Sequence, residues 1–78
     1  MNIFMNDKRR GEVILVDIER GIGIIIDENN QDIQFRLETV SANIGLNSKV
    51  TFEIQLTAKG LSAMNIELEG KKILVDAL

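Results

Sequence analysis

The 78-residue chain contains no cysteine, histidine, proline, tryptophan or tyrosine. Without cysteine there is no disulfide framework and no thiolate metal site. Without histidine, the commonest metal ligand and the commonest general acid or base at neutral pH are both missing. Only three phenylalanines supply rings, so the core must be mostly aliphatic. No apolar run approaches the roughly 20 residues of a membrane-spanning helix. Met1-Asn2-Ile3-Phe4-Met5 is too short and too weakly basic for a signal peptide, which makes the cytoplasm the expected location. The length suits one domain, near the lower limit of what a single core supports. Net charge is −3 and the pI about 4.8. That balance argues against strong non-specific duplex binding, which depends on neutralising phosphates, but leaves room for a local basic face.

Catalytic chemistry finds little to work with. Gly21-x-Gly23 lacks the third glycine and the following helix of a dinucleotide fingerprint, and no phosphate-binding loop motif is present. Most carboxylates are scattered singly. Asp27 and Glu28, adjacent at a turn, could hold a cation only weakly. No nucleophile stands beside a base. The expectation is a binding protein rather than an enzyme, with no cofactor and no metal.

What the chain does have is a glycine-punctuated isoleucine run, Arg20-Gly21-Ile22-Gly23-Ile24-Ile25-Ile26. Branched side chains favour a pleated strand. Glycine inside a strand marks a bulge, a bend or a close approach. A strand that bends sharply and stays buried belongs in a small barrel.

Around it the chain divides into an N-terminal arm (1–10), a barrel (11–68) and a C-terminal extension (69–78). The arm carries Lys8, Arg9 and Arg10, which either meet phosphates or are simply solvated. A first strand runs from Glu12 to about Ile18. Strict alternation would put Val13, Leu15 and Asp17 on one face and Ile14, Val16 and Ile18 on the other, unless the strand is bulged. Ile22 to Asp27 is the second strand, and Glu28-Asn29-Asn30-Gln31 is a hairpin turn. Asp32 to Leu37 alternates cleanly, with Ile33, Phe35 and Leu37 opposite Gln34 and Arg36. Residues 38–48 form a long loop with room for one helical turn near Glu38 to Ala42. Lys49 to Leu56 is the clearest strand, four apolar residues alternating with four polar ones. Thr57-Ala58-Lys59-Gly60 turns into a fifth strand, Leu61 to Leu68, with Met64, Ile66 and Leu68 expected inward. The extension is basic at Lys71-Lys72, then apolar at Ile73-Leu74-Val75. Five short strands with a long connection after the third suggest an all-β, five-stranded antiparallel Greek-key barrel of the oligonucleotide-binding type.

Gly11 through Glu67 resembles the bacterial cold-shock domain. That family opens G-x-V-K-W-F-N-x-x-K-G-F-G-F-I. Here Gly11, Val13, Gly21, Gly23 and Ile25 match, and Arg20 stands where the family has lysine. Asp32-Ile33-Gln34-Phe35-Arg36 is similar to the family's D-V-F-V-H. Val50-Thr51-Phe52 corresponds to V-x-F, and Ala58 through Ile66 to A-K-G-P-x-A-x-N-V. The resemblance implies a cold-shock-like barrel that binds single-stranded RNA or DNA on its outer face.

The family's stacking positions correspond to Leu15, Ile22, Ile24, Gln34 and Arg36, and none carries a ring the family would have there. Stacking contributes roughly 1–3 kcal/mol per base. Weak binding is therefore expected, carried by charge and by Arg36, which can lie flat against a base and still meet a phosphate. Arg20 and Lys59 extend the basic edge, with Lys8, Arg9 and Arg10 as further phosphate contacts. The alternative for Arg20 and Arg36 is that they only solubilise the outer face. A second expectation is an aliphatic patch of Leu15, Ile22 and Ile24, suited to a protein partner or a homodimer. If a bulge turns Ile22 or Ile24 inward, that patch does not exist.

Overall fold

The structure, a computed structural model, describes residues 8–70. The apolar tuft Ile3-Phe4-Met5 and the segment Ile73-Leu74-Val75 lie outside the described residues. Five strands form: β1 (Arg9–Asp17), β2 (Ile22–Asp27), β3 (Asp32–Arg36), β4 (Lys49–Thr57) and β5 (Gly60–Leu68), with one 3-10 turn at Leu37–Thr39. They close in the order β1-β2-β3-β5-β4, the five-stranded barrel of the oligonucleotide-binding type. Four neighbouring pairs are antiparallel. The fifth, β3 with β5, is parallel and rests on Gln34 opposite Ser62. An all-antiparallel barrel is not attainable here, because directions cannot alternate around a closed ring of five.

Val13, Ile25, Ile33, Phe35, Val50 and Phe52 are fully buried and form the core, with Ala63 and Ile66 beside them. Each large aliphatic or aromatic side chain so buried stabilises the fold by about 1.5–3 kcal/mol. Both glycines of the central run have physical reasons. Gly21 turns the chain with φ 72°, a left-handed conformation that other residues rarely adopt. Gly23 lies under the ring of Phe35, where an added Cβ would sit 2.6 Å from Phe35 Cε1. Gly11 has a similar role, since a Cβ there would come 2.5 Å from the Ile26 carbonyl oxygen.

The turn after β2 is held by Asp27. This residue is buried at 6% exposure, and its Oδ1 accepts the amides of Asn29 (2.8 Å) and Gln31 (2.9 Å). Asn30 takes φ 64°, a conformation that Asn tolerates better than most residues. The Asp27 carboxylate therefore organises its own hairpin.

Two expectations about facing are corrected. β1 is bulged between Val13 and Leu15, so those two do not share a face. Val13 is buried, Ile14 and Leu15 are both exposed, and Val16 packs against the core. An extra residue on one strand changes the phase of everything after it. In β5 the inward residues are Ala63 and Ile66, three apart, while Met64 and Leu68 are only half-buried. Asn65 and Ile66 together face Phe52, between the pairs Glu53–Met64 and Thr51–Glu67, and Asn65 has φ 52°. That bulge, with its left-handed residue, moves the inward positions.

Boundaries also shift. β1 begins at Arg9, because Arg9 and Arg10 pair with Phe52 and Thr51. The single turn in the long connection is earlier and shorter than expected. Alternation in β4 runs past the barrel: Val50 and Phe52 are core, Ile54 is half-buried, and Leu56 is exposed at the hairpin tip. Among the described residues, no helix is long and apolar enough to cross a membrane.

Candidate nucleic-acid interface

The outer face of β2 is set by strand alternation. Gly23, Ile25 and Asp27 point in, which leaves Ile22, Ile24 and Ile26 outward and half-buried. Cross-strand register then builds rows over that face. Ile24 lies between Leu15 of β1 and Gln34 of β3, and Gln34 continues to Ser62 of β5. Ile22 lies between Asp17 and Arg36. The aliphatic row of Leu15, Ile22 and Ile24 is thus present on the outside of the barrel, and the inward-turned alternative for the two isoleucines is ruled out.

Beside this row, the seam between β3 and β5 opens into a shallow groove of about 580 Å³. Arg20, Ile22, Gln34, Arg36, Lys59 and Leu61 all line it. Arg20 comes from the β1–β2 turn, Ile22 from β2, Gln34 and Arg36 from the polar face of β3, and Lys59 from the β4–β5 turn. Three cations therefore converge on one groove in a chain of net charge −3. Lys59 is positioned by its turn: the Thr57 hydroxyl accepts the Lys59 amide (3.1 Å) and donates to the Gly60 carbonyl (2.8 Å).

Two of the cations are already engaged. The Arg20 guanidinium lies 3.8 Å from the half-buried Asp17, and that of Arg36 lies 2.9 Å from Glu38, with both arginines and Glu38 largely exposed. Exposed pairs of this kind are worth little and are screened by salt, so an incoming phosphate can compete for them. Arg36 is also tethered from its main chain, whose carbonyl accepts the Thr39 hydroxyl at 2.7 Å.

Leu15 and Ile24 flank the groove without lining it. The basic run Lys8-Arg9-Arg10 is not gathered into it. Those residues share a separate hollow with Asp27 and Glu28, and Arg10 lies 3.6 Å from Glu69. Only Lys8 approaches the candidate face, through a second hollow that it shares with Arg36. The three adjacent bases therefore lie among the carboxylates Asp27, Glu28 and Glu69 rather than in the groove.

Leu61 was not anticipated as a groove residue. It pairs directly with Leu56 across the hairpin, and both are exposed. The signal in the sequence is an apolar residue on either side of a four-residue turn, placed beyond the last core residue of β4. Neither a family model nor a curated protein matches the chain.

Proposed function

We propose that this protein binds single-stranded nucleic acid weakly along the β3–β5 groove, chiefly through charge. The observation that carries this reading is the convergence of Arg20, Arg36 and Lys59 on one groove. Ile22, Leu61 and Gln34 line it beside them, and core residue Phe35 is the one ring among its lining residues. Bases then rest on aliphatic side chains and on the Arg36 guanidinium plane, while phosphates meet the three cations. The absence of outer-face rings points to low affinity and little sequence preference.

Titration of labelled oligo-U and oligo-dT tests this reading. Three phosphate contacts on a single strand correspond to a log–log salt slope of about −2. Absence of binding at low salt, or binding indifferent to salt, sinks it.

A second reading is supported by the row of Leu15, Ile22 and Ile24, an outward aliphatic surface that suits a protein partner or a second copy. Under it, Ile24→Glu abolishes partner capture or self-association and leaves the fold intact. Under the first reading, the same change lowers oligonucleotide affinity only by added negative charge.

A further inference from the structure

The groove continues into a hollow whose chemistry differs from its own. Ser62 is the register partner of Gln34 on β3 and of Gln55 on β4. Cross-strand partners share a face, so these three polar side chains form one row across the sheet. Met64 and Glu53, also direct partners, form the next row on β5 and β4. Both rows point outward, because Ala63 is core and its partner Ile54 packs against the core, and each is flanked by these residues along its strand. The hollow over them is about 540 Å³, with Lys8 at its rim. It joins the groove at Arg36 and Ser62, which line both.

The lining can do what the groove cannot. Half-buried Met64 offers a polarisable thioether against which a ring can lie. Glu53 pairs with it across the strands, and its Oε1 accepts the Asn65 side-chain amide at 2.9 Å. That bond holds the carboxylate in place. An ionised carboxylate only accepts hydrogen bonds, and after one it still has lone pairs to offer. Two cations, Lys8 and Arg36, are matched by two carboxylates, Glu53 and Glu67, so a phosphate gains little inside the hollow. A neutral base edge with a donor gains more. Cytosine and adenine present an amino group there, whereas uracil and thymine present a carbonyl that Glu53 repels.

We infer that this hollow is a second base subsite, in which a base lies on Met64 and donates its exocyclic amino group to Glu53. It selects cytosine or adenine over uracil or thymine at one position of the bound strand. Arg36, at the junction, serves the phosphate between the two subsites. The inference rests on the nucleic-acid reading of the groove and adds a base preference that the groove's own residues do not supply.

The test titrates labelled oligo-C and oligo-U of equal length into the full-length chain at low salt. Oligo-C should bind about threefold tighter or more, the worth of one hydrogen bond to a carboxylate. Glu53→Gln keeps an acceptor for Asn65 but turns a donor toward the base, so it should abolish or reverse the preference. Met64 gives a readout apart from affinity. The chain has three methionines, and the other two are Met1 and Met5. The Met64 methyl resonance, assigned with Met64→Leu, should shift on saturation with oligo-C, because a ring lies against it. Equal affinities in the unmodified chain overturn the subsite. So does a preference for oligo-C that survives Glu53→Gln intact, or a Met64 methyl that does not move. Failure of both oligomers to bind instead defeats the groove reading on which the subsite rests, so the two failures are told apart.

Discussion

Isoleucine occupies both faces of β2, and the two faces have different jobs. Ile25 is fully buried against Val13, paired with it across the β1 bulge, while Ile24 stands outside between Leu15 and Gln34. The two are adjacent in sequence and chemically identical. Their environments differ because side chains alternate along a strand, and the barrel fills one face while leaving the other to solvent or a ligand. Inside, the side chain is constrained by packing density. Outside, it is constrained only by what binds.

Truncating each in turn is the strongest way to break that contrast. Ile25→Ala should cost about 2–5 kcal/mol, enough to threaten folding of so small a domain. Urea denaturation measures it, and a loss under about 1 kcal/mol would contradict its place in the core. Restoring rings on the outside comes next. Ile22→Phe with Ile24→Phe and Gln34→Phe should raise oligonucleotide affinity tenfold or more, given roughly 1–3 kcal/mol per stacked base. An unchanged Kd in fluorescence titration would remove the outer face from the binding model. Asp27→Ala sharpens the comparison at the inward end of the same strand. It deprives the Asn29 and Gln31 amides of their acceptor, for an expected loss of about 1–3 kcal/mol by denaturation. Part of that loss will be offset, because Asp27 Oδ2 is buried without a partner. Arg36→Ala should weaken oligonucleotide binding several-fold and reduce the salt slope by about 0.7, with stability unchanged. A slope that stays the same means Arg36 meets no phosphate. Smallest of all, Ile24→Ala should cost at most about 1 kcal/mol, since Ile24 is only half-buried.

Strands were legible wherever one face is buried and the other is not. Asp32 to Arg36 alternates in sequence and in burial alike, and the Asn29-Asn30 pair marked its hairpin correctly. Bulges were not legible. Ile14 and Leu15 are both aliphatic, so no local feature shows that the in–out phase changes between them. In β5, Asn65 is a hint, but its left-handed conformation matters only because Phe52 lies opposite. Of the groove, Arg20, Ile22, Gln34, Arg36 and Lys59 were anticipated, and Leu61 was missed. Lys8, Arg9 and Arg10 stay together beside Asp27 and Glu28 rather than joining the groove, because β1 begins at Arg9 and carries them to the end of β2 opposite Ile22.

By itself the sequence determined five short strands, their turns and an aliphatic core, since all of these follow from local periodicity and turn chemistry. It also determined that the outer face would lack rings. Only the tertiary structure decided which cations converge, because Arg20, Arg36 and Lys59 come from three segments that meet at the β3–β5 seam. The parallel direction of that seam follows from closing a ring of five strands. Where β1 passes from pairing with β4 to bonding the loop at Asn47 and Ser48 was likewise decided there, by the point at which β4 begins. Each of these depends on contacts between residues distant in the chain, which no local pattern encodes.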